Sequence, residues 1–157
     1  MALDVAGLDQ RIAATMDRWG VPALRYALAV IFILFGILKP LGFSPAAPLV
    51  RDTVAFLPLG TPDLWVAVIG WWEVAIGVCF LWRRTIRVAI GLLALQMVGT
   101  LMPLVLLPEA TFQPGRYPWA PTLEGQYIIK NLLIIAAAMV VGGTLSRSGP
   151  RPPSEGQ

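Results

Sequence analysis

The chain has 157 residues, of which 57% are hydrophobic and only 13% are charged, and its mean hydropathy is +0.71. A soluble domain carries about a quarter charged residues, and a chain of this length cannot hide so much apolar surface inside itself. Its length fits one domain. The composition therefore excludes an ordinary soluble protein and predicts an all-α integral membrane protein whose first partner is the lipid bilayer.

The net charge of +3 comes from arginines that fall at the ends of apolar segments and do not cluster on one face. This distribution argues against nucleic acid as a partner and indicates membrane orientation instead. The chain has no histidine and one cysteine, Cys79, so neither an intramolecular disulfide nor a CxxC redox pair is available. Because histidine is the commonest metal ligand, we expect no metal site.

Four apolar segments are long enough to cross a bilayer, since a helical span needs about 20 residues. They cover residues 22–42, 62–82, 85–107 and 126–145. The first has Arg25 and Lys39 near its ends, from where both side chains can reach the interface. The sequence therefore predicts a four-transmembrane-helix bundle formed by residues 21–145.

Two short amphipathic helices are predicted at the membrane interface. The first lies in residues 1–20, and its apolar face consists of Leu8, Ile12, Met16 and Trp19. This helical spacing is typical of a helix that lies on a membrane surface. The second is bounded by Pro48 and Pro58, since proline favours helix starts and stops. We expect the loop 108–125 to be ordered without regular structure and residues 146–157 to form a disordered cytoplasmic tail.

The arginines predict the orientation of the spans. One side of the membrane carries Arg11, Arg18, Arg25, Arg83, Arg84, Arg87, Arg147 and Arg151. The loops of the other side carry only Arg51 and Arg116. Because basic residues are retained on the cytoplasmic side, both termini are predicted to be cytoplasmic.

Glu73 is the most informative residue, because a carboxylate in the middle of span two is costly in lipid unless it is paired or protonated. Its helix neighbours Gly70 and Gly77 allow another helix to approach closely. We therefore expect Glu73 to face the bundle interior. Lys130, near the outer end of span four, and Lys39, near the outer end of span one, are alternative partners, and the sequence leaves the choice between them open.

Other polar side chains accompany this carboxylate. Gln96 lies midway along span three, which Pro103 is expected to kink near Gly99. Trp72 precedes the carboxylate in span two. Close to Lys130 in the sequence are three further donors, Gln126, Tyr127 and Asn131. Such groups have two interpretations: they fix the packing of the helices, or they form a functional site.

A resemblance to a known family is carried by Arg25, Gly36, Lys39, Gly70, Glu73, Gly77, Arg84, Arg87, Lys130 and Asn131. In this order and spacing the chain, over about residues 18–143, resembles the DoxX-like family of four-helix bacterial membrane proteins. Residues 48–50 and 108–113 are similar to its YkgB-like relatives. The resemblance implies a bundle in the bacterial cytoplasmic (inner) membrane. It also implies that a Glu in the second span and a Lys-Asn pair in the fourth correspond to Glu73, Lys130 and Asn131.

Three functions are compatible with these features, and the sequence leaves open whether the chain is catalytic. The first is a non-catalytic accessory membrane subunit. In this function the N-terminal helix and the loop with Arg83, Arg84 and Arg87 dock a soluble redox or sulfur-transfer protein on the cytoplasmic face. The resemblance implies this kind of partner, because some members of the family are described as membrane partners of such enzymes.

The second function is a quinone-binding oxidoreductase subunit, which the resemblance to subunits of thiosulfate:quinone oxidoreductase implies. Glu73 and Lys130 would be catalytic, with Glu73 relaying a proton. The residues expected to bind the quinone are Lys130, Asn131, Tyr127, Gln126, Trp72, Gln96 and Lys39. The third function is a small proton-coupled transporter with Glu73 as its proton site, although neither an inverted repeat nor a pair of broken helices is evident. A homo-oligomer would supply the missing repeat.

Overall fold

The structure is a computed structural model that describes residues 5–146. Within this part of the chain there are eight α-helices, one 3₁₀ turn at Arg83–Thr85, and an isolated bridge between Phe112 and Pro121. The helices are α1 (Val5–Leu38), α2 (Ala47–Val54), α3 (Pro62–Leu81), α4 (Ile86–Leu101), α5 (Pro103–Leu106), α6 (Pro108–Thr111), α7 (Leu123–Ile129) and α8 (Asn131–Ser146). The predicted tail after residue 146, with two of the arginines, lies outside the described residues.

Four helical stretches are long and apolar enough to cross a membrane. They are Ala6–Leu38, Pro62–Leu81, Arg83–Leu106 and Leu123–Leu145. The prediction of an all-helical protein with four such segments is thereby confirmed. In the most apolar part of each stretch only 22–28% of the residues are buried inside the protein. Packing within the chain therefore does not account for the hydrophobicity of these helices.

The first helix differs from its prediction, because the N-terminal amphipathic segment and the first span form one continuous helix of 34 residues. Pro22 lies inside this helix and does not divide it. α1 ends at Leu38, four residues earlier than expected, since Pro40 cannot donate a helical hydrogen bond and Gly42 turns the chain with a φ of 78°. A helix of 34 residues is about 51 Å long and exceeds the roughly 30 Å of a bilayer core.

α1 packs antiparallel against α3 with very close backbone contact. A Cβ atom on Gly36 would lie 2.8 Å from the carbonyl oxygen of Gly70 and 2.8 Å from the amide nitrogen of Val74. A Cβ atom on Gly77 would lie 2.7 Å from the carbonyl oxygen of Ala29. No side chain fits in these positions, so small residues set the distance between the two helices. The expectation that the glycine face of α3 receives another helix is confirmed, and that helix is α1.

One apolar core joins α1, α3, α4 and α8. Its buried members are Leu28, Ala29, Phe32, Ile76, Phe80, Ile86, Ala89, Leu93, Met97, Ala137, Ala138 and Val141. Since this cluster is continuous, the four apolar stretches form a single bundle whose helices all share the same interior.

The bundle has two chemically different ends. At the one we call the arginine end, α3 is followed by the 3₁₀ turn and by α4. The hydroxyl of Thr85 closes this connection by sharing its proton between the carbonyl oxygens of Cys79, at 2.7 Å, and Trp82, at 3.0 Å. The last turn of α8 reaches the same end, because Leu145 lines a cavity together with arginines of the connection.

The opposite end, which we call the loop end, contains α2 and residues 107–122. α2 confirms the second predicted amphipathic helix, and Arg51 Nε donates to Asp63 Oδ1 of α3 at 2.6 Å. The loop 108–125 is more regular than expected, since it contains the short helix α6 and the isolated bridge. The fully buried Thr111 anchors it: its hydroxyl donates to Leu107 O at 2.9 Å, and its carbonyl accepts from the Thr122 amide at 2.9 Å.

The third and fourth apolar stretches each contain one irregular residue near the loop end. α4 ends at Leu101 and α5 begins at Pro103, the proline that is expected to kink this span. The fourth stretch passes from α7 to α8 at Lys130. There Asn131 Nδ2 donates to the carbonyl oxygens of two α7 residues at 3.1 Å each. Met102 (φ −52°, ψ −42°) and Lys130 (φ −59°, ψ −18°) keep helical backbone angles, so the expectation that no pair of broken helices exists is not contradicted.

Candidate functional site

Glu73 lies in the second half of α3 with only 13% of its side chain exposed. It follows Gly70 by three residues and precedes Gly77 by four, and both glycines contact α1. The carboxylate is thus carried by the face of α3 that α1 covers. The expected inward orientation of Glu73 follows from this placement.

Two side chains from different segments of the chain donate hydrogen bonds to the carboxylate of Glu73. Lys39 Nζ, just after the end of α1, donates a hydrogen bond to Glu73 Oε2 and forms a salt bridge with it. Gln96 Nε2 of α4 donates to Glu73 Oε1 at 3.0 Å. The lysine side chain is only 7% exposed. The three side chains, which we call the polar triad, therefore connect α1, α3 and α4 inside the apolar bundle.

Backbone geometry explains why Lys39 reaches the carboxylate. A Cβ atom on Gly70 would lie 2.6 Å from Cδ of Pro40 and 2.7 Å from Cβ of Lys39. The turn after α1 is thus pressed directly onto α3, one helical turn from Glu73. Because Pro40 ends α1 at this point, the lysine side chain can fold back over the glycine.

Lys130, the other partner considered, does not pair with Glu73. Its side chain is exposed, and its Nζ lies 5.0 Å from the centre of the Tyr127 ring in a cation–π contact. The glycine face of α3 is covered by α1, so Lys39 occupies the position beside the carboxylate. The choice that the sequence left open is thereby made in favour of Lys39.

The other predicted donors of the fourth span lie around the junction of α7 and α8. Gln126 and Tyr127 are exposed. The side-chain amide of Asn131 is engaged by the backbone, because it donates to the carbonyl oxygens of Tyr127 and Ile128. This group closes the end of α7 and makes no hydrogen bond with the polar triad.

Trp72 belongs to the surroundings of the triad. Its indole Nε1 donates to the carbonyl oxygen of Leu92 at 3.3 Å, one helical turn before Gln96 on α4. The neighbouring Trp71 is 56% exposed on the outside of the bundle. Trp72 therefore holds α3 against α4 beside the triad.

The residues that are predicted to bind a quinone do not come together in one place. A quinone needs an apolar slot with donors free to bind its carbonyl oxygens. Each oxygen of Glu73 accepts one hydrogen bond, from Lys39 or Gln96, and the side-chain amide of Asn131 donates to the backbone. The predicted set is divided between the triad and the α7–α8 junction. Within residues 5–146 no three metal-ligating side chains come together.

Two open cavities lie at the ends of the bundle. One, of about 690 Å³, is at the loop end between α5 and the following loop, with Glu109, Phe112 and Tyr117 in its wall. The other, of about 390 Å³, is lined by Arg83, Arg84, Arg87 and Leu145. The sequence indicates only orientation and docking roles for these arginines, because the cavity depends on where α8 ends relative to α4.

No protein-family model, no curated protein and no solved structure matches this chain. The resemblance to the DoxX-like family accordingly stays a prediction.

Proposed function

We propose that this chain is a multi-pass protein of a bacterial cytoplasmic membrane, with both termini in the cytoplasm. The apolar side chains that face outwards from the four long helices support this placement, since their exposure to water would be unfavourable in free energy. The orientation is supported by the arginine end, because basic residues are retained on the cytoplasmic side.

Within that membrane the protein is a non-catalytic accessory subunit that docks a soluble redox or sulfur-metabolism enzyme. The polar triad favours an architectural role for Glu73, whose oxygens are both engaged by the protein itself. A catalytic group needs access to a reacting molecule. The identity of the partner class comes from the resemblance to the DoxX-like family.

The observation that carries this proposal is the uncovered N-terminal part of α1. Every residue from 8 to 20 is exposed, although the apolar side chains of Leu8, Ile12, Met16 and Trp19 share one side of the helix. An amphipathic helix with an uncovered apolar stripe is a standard means of binding a partner groove. The first helix thus gives the bundle a docking element that is continuous with its core.

The test compares partner recovery from native membranes in mild detergent, with protein and quinone content measured by mass spectrometry. Ile12→Ser/Met16→Ser removes two apolar side chains from the stripe. We expect this variant to lose a redox or sulfur-transfer enzyme that the unaltered protein recovers in stoichiometric amount. The matched control, Gln10→Ser/Ala14→Ser, changes exposed residues on the opposite side of the same helix and should retain the enzyme.

Three outcomes would contradict the proposal. Equal recovery with both variants would assign docking to another surface. Repeated recovery of the chain alone, also after crosslinking, would remove the accessory function. Stoichiometric quinone that is lost in Glu73→Gln would favour the quinone-binding subunit instead.

A small proton-coupled transporter is the second candidate, because a buried carboxylate inside the bundle, that of Glu73, is the kind of group that relays protons in transporters. Its proton site would be Glu73. In proteoliposomes with an imposed pH gradient, proton flux should then disappear in Glu73→Gln and persist in Glu109→Gln. Flux that is insensitive to both changes would remove this candidate.

A further inference from the structure

The cavity at the arginine end has an unusual composition. Three of the four residues that line it are arginines, namely Arg83, Arg84 and Arg87, and the fourth is Leu145 of α8. Its volume is about 390 Å³, and it is open to the outside, because all three arginines are exposed. The wall thus combines positive charge with an apolar side.

The two ion pairs described above, Lys39–Glu73 and Arg51–Asp63, both lie away from the arginine end. Within residues 5–146, Arg84 and Arg87 make neither an ion pair nor a side-chain hydrogen bond, and both are exposed. Two guanidinium groups with their donors unused are available to an anion.

Further positive potential is present at the same level of the bundle. α4 begins directly after Thr85, whose side chain makes no capping hydrogen bond to it, so the positive end of the helix dipole is not offset there. α1 and α3 are antiparallel with Ala29 opposite Gly77, which places Arg25 near the level of Leu81. Arg25 Nε is buried and has no hydrogen-bond partner within the described residues.

The position of the cavity favours one class of anion, the phosphate headgroups of lipids. It lies between the start of α4 and the end of α8, where these apolar helices would leave the hydrocarbon. Trp82, 59% exposed, immediately precedes the arginines, and tryptophan is enriched at the headgroup level of a membrane. Basic pockets between helices on the cytoplasmic side are suited to phosphate headgroups.

We propose that the arginine-end cavity binds the phosphate of an anionic phospholipid, with Arg84 and Arg87 donating to the phosphate oxygens and Leu145 contacting the start of an acyl chain. Arginine is suited to this role because its planar fork presents paired donors to phosphate oxygens. The proposal rests on the membrane placement proposed above but not on docking of a soluble partner, which is assigned to α1.

The test measures thermal unfolding of the purified full chain in mild detergent, where orientation in a membrane plays no part. Phosphatidylglycerol, phosphatidylcholine and inorganic phosphate are titrated separately. We expect phosphatidylglycerol alone to raise the Tm of the unaltered protein. In Arg84→Gln/Arg87→Gln, the lipid concentration for half of the Tm shift should rise about 30-fold, which corresponds to about 1 kcal/mol for each basic residue.

The matched control is Arg116→Gln, which removes an exposed arginine from the loop end and should leave the phosphatidylglycerol response unchanged. If the double variant does not fold, Arg87→Gln alone is measured, with an expected rise of about fivefold. An unchanged response in the arginine-end variant, or an equal loss in Arg116→Gln, would overturn the proposal. An equal Tm rise with inorganic phosphate alone would overturn the lipid assignment and make the cavity a site for free phosphate.

Discussion

At the scale of single residues, the environment of Glu73 is set by the hydrogen bonds that its carboxylate accepts. Lys39 and Gln96 each donate to a different oxygen of its carboxylate, so the charge is matched and two of its acceptor sites are used. A buried ion pair adds little net stability, because removing both charges from water costs about as much as their attraction returns. Removing only one of the two partners is far more costly, since it leaves an unpaired charge in the interior.

This asymmetry predicts the outcome of a double-mutant cycle on the triad. Lys39→Met should lower the free energy of unfolding by about 3–5 kcal/mol, because Glu73 is left unpaired. Lys39→Met/Glu73→Leu should cost much less, since both charges are gone. The free energies are measured by equilibrium unfolding in mixed detergent micelles.

Lys130→Met is the control for this cycle. Since Lys130 is exposed and does not contact the carboxylate, its replacement should change the free energy of unfolding by no more than about 0.5 kcal/mol. A cost of Lys130→Met equal to that of Lys39→Met would mean that the pairing described above is wrong.

The sequence predicted the inward position of Glu73 but not its partner. Glycines at i−3 and i+4 mark the face that another helix covers, and this signal is local. The partner depends on the rotation of α1 and on the turn at Pro40, which presses Lys39 onto Gly70. Such contacts arise from packing between distant segments. They cannot be predicted from the spacing of residues in the sequence or from their depth along a helix.

At the scale of helices, the α1–α3 contact organises the site. Gly36 and Gly70 lie so close that the backbones of the two helices touch. The short distance brings the end of α1 beside the carboxylate and excludes larger side chains. Packing at small residues is a principal source of helix association in lipid, where no hydrophobic effect drives helices together.

Gly36→Ala should therefore separate the two helices. Its Cβ atom would lie 2.8 Å from backbone atoms of α3, and we expect a loss of about 1–3 kcal/mol in the free energy of unfolding. Gly91→Ala is the matched control, since a Cβ atom there meets nothing within 4 Å and alanine favours a helix by up to about 1 kcal/mol. Equal effects of the two substitutions would contradict the close contact.

The number and positions of the long helices could be predicted because 20 consecutive apolar residues are a strong local signal. The boundaries were harder. The sequence predicts that the first span begins at residue 22, whereas α1 starts at Val5 and continues through Pro22. The change from α7 to α8 at Lys130 is marked by neither a proline nor a glycine beside it.

At the scale of the whole molecule, charge is distributed between two ends. Arg83, Arg84 and Arg87 lie at one end, while the loop end pairs Arg51 with Asp63. This difference supports a single orientation in a membrane.

Cysteine accessibility in intact cells tests this orientation. With Cys79 replaced by Ala, Gln113→Cys at the loop end should react with a membrane-impermeant maleimide added outside. Gln10→Cys in the N-terminal part of α1 should react only after permeabilisation. Both positions are exposed. The reverse labelling pattern would mean that the proposed orientation is inverted.

The polar triad also has a consequence for biogenesis. Its acid and its base belong to segments that a ribosome makes one after the other, 34 residues apart. A nascent chain that has released α1 and α3 contains both members of the ion pair, and we expect the two segments to enter lipid together as a hairpin in which Lys39 neutralises Glu73. A chain that loses α1 would present an unpaired carboxylate in α3, which we expect membrane quality control to recognise and degrade.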